Sequence, residues 1–323
     1  MRDLLRALPL VTLSLVALPS CAAQEDSVTF SVSPVDLEHV REIVPLGNLN
    51  PPGHTFPTDH VYFYLDDPER PRDVVAPAAG EVAWIHSFEE ADAKIVVRAT
   101  ASSYYYVGHV APDPEIRAGR TVAAGDRLGT TSGRSYALDL GAVDERLTLS
   151  GFVRPERYPA DTVHCVSPLA LFSGPLRSRV YALVRREGQD KDGRIDIDRP
   201  GTLAGNWFLE GLPPGPESFA QENWQKHLAF VRDVHDPGIL RVSIGGTIAS
   251  AGTFAVSGNA PDPTDVRPET GAVVYELLDA RFPGACAGRL RVQLLDSDRI
   301  HVELFPANNP ADQFGAGARV YTR

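Results

Sequence analysis

No stretch of this chain keeps an apolar repeat of 3.6 residues for more than about three turns, so long amphipathic helices are excluded. What remains is a succession of short apolar runs separated by turn residues. Gly and Pro contribute 27 residues each, and both punctuate a chain that reverses direction often. In the first half the strand candidates are Val61–Leu65, Glu81–His86, Lys94–Thr100, Tyr104–Val110, Thr121–Leu128 and Tyr136–Val143. In the second they are Gly205–Leu209, His227–Val231, Leu240–Ile244, Val273–Leu278, Arg289–Leu295 and Ile300–Phe305. The pattern breaks around Ser173-Gly174-Pro175. A chain of 323 residues exceeds one ordinary core. The fold expected is therefore mostly β, in two domains, 35–175 and 176–323, the second a β sandwich or barrel.

The formal net charge is −11 and no Lys/Arg cluster interrupts it. Such a surface repels phosphate backbones, which excludes nucleic acid as the expected partner. The N-terminus is a separate unit. Arg2 and Arg6 precede an uncharged, mainly apolar stretch from Ala7 to Ser20, which suits the h-region of a signal peptide better than a bilayer span. It ends Leu18-Pro19-Ser20-Cys21, which resembles a bacterial lipobox with Cys21 as the lipidated residue. The alternative is a plain secretory signal cut near Ala22 or Ala23. Residues 1–20 are thus expected to direct export and 21–34 to form a tether. The expected location is the bacterial cell envelope, with the membrane held through lipidated Cys21. Cys165 and Cys286 then remain as a pair in an oxidising compartment, expected either to bridge or to stay as buried thiols.

Two segments of the first half carry a specific pattern. Asp73-Val74-Val75-Ala76-Pro77-Ala78-Ala79-Gly80-Glu81-Val82 is a strand–turn–strand, and Ile116–Gly129 repeats Gly at Gly119, Gly125 and Gly129. Between them lies Tyr106-Val107-Gly108-His109-Val110. In order and spacing these resemble the lysostaphin-type zinc endopeptidases, whose scaffold is the duplicated hybrid motif; the resemblance runs from about Asn48 to Asp144. The last segment has one residue more than the family's Y-x-H-L strand. Fold alone does not carry activity.

The resemblance implies a metal held by an H-x-x-x-D pair and the second His of an H-x-H, with two further catalytic His. His60 matches the first ligand, but Tyr64 stands where the carboxylate belongs. Ala137-Leu138-Asp139 replaces H-x-H, so Ala137 takes a catalytic position and Asp139 a ligand position. His109 matches the other catalytic His. A reduced site for zinc or another divalent ion would use His60 and Asp139, with His54 and Asp59 as further candidate ligands. The bland reading is that His54 and His60 are structural. Peptide hydrolysis also needs a proton acceptor and oxyanion stabilisation, and Ala137 supplies neither.

In the second half, Asp190-Lys191-Asp192-Gly193 has part of a calcium loop but lacks its later carboxylates, and a hairpin turn is the simpler expectation. Gly205-Asn206-Trp207 resembles the Gly-x-Trp opening of lipocalin-like barrels. Three functions follow as expectations. The first is a non-catalytic module that binds peptidoglycan or an envelope protein. The second is a divergent zinc metallopeptidase acting on peptidoglycan cross-links through His60, Asp139 and His109. The third is a lipoprotein that binds a ligand with its C-terminal half.

Overall fold

The computed structural model describes residues 28–257, 260–279 and 285–323. The signal sequence and Cys21 lie outside them. The first half is one antiparallel sheet of ten strands. In chain order these are β1 (Val40–Val44), β2 (His60–Leu65), β3 (Asp73–Val75), β4 (Gly80–Glu89), β5 (Asp92–Arg98), β6 (Ser103–Pro112), β7 (Thr121–Val122), β8 (Arg127–Thr131), β9 (Ala137–Asp144) and β10 (Cys165–Val166). The main path runs β1-β2-β9-β6-β5-β4-β7, with β10 on β9 and β8 joining β3 to β6. The run expected as one strand from Thr121 to Leu128 is two, because Ala123–Asp126 forms a turn in which the Asp126 carboxylate accepts the Ala123 N–H at 2.8 Å.

Central β9 is buried almost throughout, whereas β4 becomes solvent-exposed from His86 onward. Helices are short: α1 (Ala160–Val163), α2 (Pro168–Leu171) and α3 (Gly174–Ala182). None of the described helices is long and apolar enough to cross a membrane.

The second half is a closed barrel of eight strands in simple up-and-down order. They are β11 (Gly205–Leu209), β12 (His227–Arg232), β13 (Leu240–Ile244), β14 (Gly252–Val256), β15 (Ala272–Asp279), β16 (Cys286–Asp296), β17 (Arg299–Phe305) and β18 (Arg319–Thr322). Closure comes from β11 pairing with β18. The sandwich alternative is thereby replaced by the barrel. Strand alternation sends Trp207, Phe230, Val242, Tyr275, Leu290, Val292 and Tyr321 inward, where they are buried together. Eight strands give an interior that side chains can fill, and here they do. Arg323 closes one end: its guanidinium lies 4.1 Å from the Trp207 ring and donates to the Arg199 carbonyl at 2.9 Å. The Gly-x-Trp segment is thus the first barrel strand, with its Trp in the core.

Sheet and barrel share a core. Phe208, Ala229 and Val231, on the outer side of β11 and β12, belong to the same buried cluster as Phe63, Val61 and Phe152 of the first half. Phe56 packs on Phe208 at 4.9 Å between ring centroids and stacks on His227 at 4.4 Å. Arg157 extends across the junction, its guanidinium 4.1 Å from the Phe208 ring and bonded to Thr322 at 3.0 Å. Below them, Asp196 and Asp198 accept the backbone N–H groups of Gly151 and Val153 at 2.9 and 3.1 Å. The 190–193 segment is not a hairpin turn. Asp192 is bonded by Tyr181 at 2.7 Å, and Gly193 pairs in parallel with Leu46.

The two cysteines do not bridge. Cys165 is buried beside β9 and donates its thiol to the Asp59 carbonyl at 3.2 Å, while Cys286 opens β16 in the barrel wall. Their even number allowed a bond that the topology does not make.

Two outcomes follow. Phe208→Ala removes a ring from the shared core and is expected to cost about 3–5 kcal/mol. Tryptophan fluorescence and far-ultraviolet dichroism should then report one common, lowered unfolding transition, since sheet and barrel lose the same contact. His227 is buried, its ring at 2.9 Å from the Ser218 carbonyl. Burial, against the pull of that bond and with Arg157 nearby, lowers its pKa from 6.5 to about 4. The unfolded chain therefore binds the extra proton first. Stability is complete above about pH 6.5 and falls toward pH 4, by about 1.4 kcal/mol per unit at most from this group. Urea titrations across that window should show a shallower pH slope in His227→Gln.

Candidate functional site

Strand register brings the sequence-expected residues to one face of the sheet. Opposite pairs are His60 with Gly141, Tyr62 with Asp139 and Tyr64 with Ala137, and on the other side of β9, Gly108 with Asp139 and Tyr106 with Gly141. Side chains two residues apart share a face, so His60, Tyr62 and Tyr64 stand in a row beside Ala137 and Asp139. Gly141 is required by space: a Cβ there would meet the Tyr106 ring at 2.0 Å.

His109 reaches this face through a bulge. Ile95 pairs with Val107 and Ala93 with Val110, so β6 carries one extra residue against β5. That extra residue is the one by which the segment exceeds the Y-x-H-L pattern. His109 adopts φ +62°, a conformation uncommon for a side chain of its size, and the bulge re-aims it toward Asp139.

The centre is a chain of alternating acids and imidazoles. His60 Nδ1 lies 3.1 Å from Asp59 Oδ1, and its Nε2 lies 3.5 Å from Asp139 Oδ2. His109 Nδ1 lies 3.1 Å from Asp92 Oδ2, and its Nε2 lies 3.5 Å from the same Asp139 oxygen. Asp59 also accepts from Tyr106 at 3.1 Å and from Thr162 of α1 at 2.6 Å.

Burial works against the charged forms of Asp59, His60, Asp139 and His54; partners prevail over it at Asp59 and His60, and burial prevails at Asp139 and His54. Burial opposes ionisation of Asp59, but His60, Thr162 and Lys94 hold its carboxyl well below the usual range. Burial likewise opposes the His60 cation, yet the Asp139 and Asp59 carboxylates raise its pKa. Asp139 is pushed up, first by burial, with Asp92 and Asp59 adding to it against the two histidines. His54 packs edge-on to His60 at 5.3 Å; burial and the neighbouring His60 lower its pKa to about 4.

Zinc needs three convergent N, O or S donors. His60 and Asp139 come together, and His60 Nε2 and Asp139 Oδ1 are buried without hydrogen-bond partners in the protein. His109 Nε2 reaches the same Asp139 oxygen at 3.5 Å, whereas the other expected ligands are engaged elsewhere. Asp59 is taken up by His60, Tyr106 and Thr162. Tyr64 holds its proton, because burial and Asp139 raise its phenol pKa. One Asp139 oxygen faces both imidazoles, an ion-pair arrangement. Among the described residues no group of three or more His, Cys, Asp or Glu is arranged to hold a metal ion.

Sequence reasoning missed Asp92, which no spacing connects to His109 across 17 residues. It also missed the barrel's part. The turn between β12 and β13 seats Val234 against Val44, Tyr62 and Ala137, with Tyr64 at its edge. Arg186 donates to the Val234 carbonyl at 2.7 Å, the Glu187 N–H bonds the His235 carbonyl at 2.7 Å, and the His235 ring lies 2.8 Å from the Arg185 carbonyl. Asp233 stiffens the turn from within, accepting from the His235 and Asp236 N–H groups at 2.8 and 2.9 Å. Both positions that depart from the peptidase pattern, Tyr64 and Ala137, thus lie under a residue of the barrel. Phe88, 47 % exposed, tilts against His109 with ring centroids 5.3 Å apart.

Asp59→Asn removes the carboxylate that holds His60 Nδ1. The His60 pKa should fall, as followed by NMR titration of its ring signals.

No family model matches the chain, and no curated protein matches it. In structure it is similar to proteins of the M23/LytM peptidase type. Helicobacter pylori Csd3 is 12 % identical over 47 % of this chain, with a TM-score of 0.31; this chain spans 39 % of Csd3. The SpoIIQ–SpoIIIAH pore-forming complex gives 12 % identity over 47 % of this chain and 95 % of that one, with a TM-score of 0.33. A LytM protein from Ruminococcus gnavus gives 17 % identity over 45 % of this chain and 62 % of that one, with a TM-score of 0.24.

Proposed function

We propose that this chain is a cell-envelope lipoprotein whose sheet half is a non-catalytic, peptidase-like module that binds peptidoglycan or a protein partner at the cell wall. The observation that carries the reading is Val234 packed over Ala137, Tyr62 and Tyr64. In the peptidase pattern Ala137 and Tyr64 stand at catalytic and ligand positions; here they form the floor of an apolar contact with the barrel. His109 then stands without a second catalytic imidazole, and losing one oxyanion-stabilising group costs about 100- to 1,000-fold in rate. Export and anchoring are inferred from Leu18-Pro19-Ser20-Cys21. Because single acyl chains hold membranes marginally, anchoring at Cys21 would use at least two.

The filled barrel interior supports the binding-module reading over a ligand carried inside the barrel. The test is sedimentation of the purified exported chain with insoluble peptidoglycan, with and without added zinc, followed by assay for new amino termini. Co-sedimentation without new termini is the expected result. Release of termini with zinc, abolished by His60→Ala or His109→Ala, would establish the divergent metallopeptidase instead. Failure to sediment, with no cleavage, would remove peptidoglycan as the partner.

A further inference from the structure

A second concavity lies away from the histidine site, where sheet, connecting segment and barrel meet. It encloses about 580 Å³, within the range of roughly 300–1,000 Å³ typical of small-molecule sites. Leu46 and Pro57 bound it from the sheet half, Ile197 from the connecting segment, and Phe230, Leu240 and Pro263 from the barrel. Three separate parts of the chain thus build one cleft whose lining mixes apolar and charged residues.

Its charges are almost fully matched. Asp190 faces Arg186 at 3.6 Å, Asp196 is bonded by Arg194 at 2.7 Å, and Asp233 by Arg241 at 2.7 Å. Asp262 pairs with Arg232. Asp198 is buried and accepts the Asn206 and Val153 N–H groups at 2.8 and 3.1 Å. Arg199 differs. Its backbone carbonyl is fixed by Thr202 at 3.0 Å and by Arg323 at 2.9 Å. Arg199 lines the cleft, is exposed, and has no carboxylate partner among the described residues. A rigidly held backbone thus presents one uncommitted cation beside an apolar wall.

A guanidinium offers a planar fork of donors that matches a carboxylate. One free cation balances one negative charge. A dianion such as a phosphate monoester would bring a second charge toward Asp190, Asp196 and Asp262, and an ammonium would face Arg199 directly. We propose that this cleft binds a small amphipathic monocarboxylate, its headgroup on Arg199 and its apolar body against Ile197, Leu240 and Pro263. The site is separate from the peptidoglycan reading and does not depend on it.

Isothermal titration of the full exported chain with octanoate, octyl phosphate and octylamine tests this. Octanoate should bind one to one and more tightly than octyl phosphate, and octylamine should give no heat of binding. Arg199→Gln should weaken octanoate at least tenfold and Arg199→Lys less. Arg117→Gln, at an exposed arginine of the sheet half, should leave it unchanged. Arg199 is exposed, so its variants should keep the wild-type dichroism and melting temperature. Octanoate binding unaltered in Arg199→Gln, equal binding of octylamine, or no octanoate binding up to millimolar concentration would each overturn the proposal.

Discussion

The packing of the barrel's outer wall on the sheet half is the contact on which the other features rest. Phe208, Ala229 and Val231 face outward from the barrel yet are buried, because they enter the core of the sheet half with Phe56 and Tyr158. Outward-facing apolar side chains on a closed barrel need such a partner surface. Once β11 and β12 are docked, the turn after β12 has no freedom to choose its place. It lands on the sheet face, Arg186 and the 185–187 backbone hold it, and Val234 is delivered over Ala137. The cleft with Arg199 is the space left beside that same turn, which is why Asp233 and Val234 border it too.

This arrangement explains why the histidine site survives in part. His60, His109 and Asp139 lie just beyond the reach of the barrel turn, and each imidazole keeps a carboxylate on its Nδ1 side. Such pairing fixes the ring and leaves Nε2 facing inward, the same orienting device that metal-binding histidines use. Orientation has outlasted the ligand set. With Tyr64 protonated and Asp59 engaged elsewhere, the inward nitrogens of both rings meet one Asp139 carboxylate oxygen.

Much of this was legible in the residues, and the reasons for the remainder are physical. The strands with clean alternation or dense β-branched content were visible, as at Tyr104–Val110 and Ile300–Phe305. Strands β14 and β18 were not, because Gly252–Val256 and Arg319–Thr322 are short and only partly buried, so little pattern forms. The Tyr106–Val110 segment signalled His109 and its extra residue, but only strand pairing shows that residue to be a bulge. His54, four places from its neighbour Asn50 in a tight turn, is near His60 without bonding to it, and spacing alone could not distinguish proximity from ligation. Val234 lies 97 positions after Ala137. No local pattern encodes that contact, since it follows from docking two separately built units.

A last step concerns how the site tolerates its own charge. Isolated carboxylates in such burial would be driven neutral, and a lone buried imidazolium would lose its proton. The shifts here run partly the other way: Asp59 is held ionised and the His60 cation is favoured, against the burial of both. Each opposes the other's desolvation, and the Tyr106 and Thr162 hydroxyls satisfy the remaining Asp59 oxygen valences. Below its raised pKa, His60 is the protonated partner of ionised Asp59, so this contribution to stability is lost as pH rises through the His60 value and, separately, as acid protonates Asp59. A buried ion pair of this kind stabilises little compared with apolar packing, but it orders its surroundings, since removing either partner strands the other. The Asp59–His60 pair is joined to α1 through Thr162, so the site and the helix order each other.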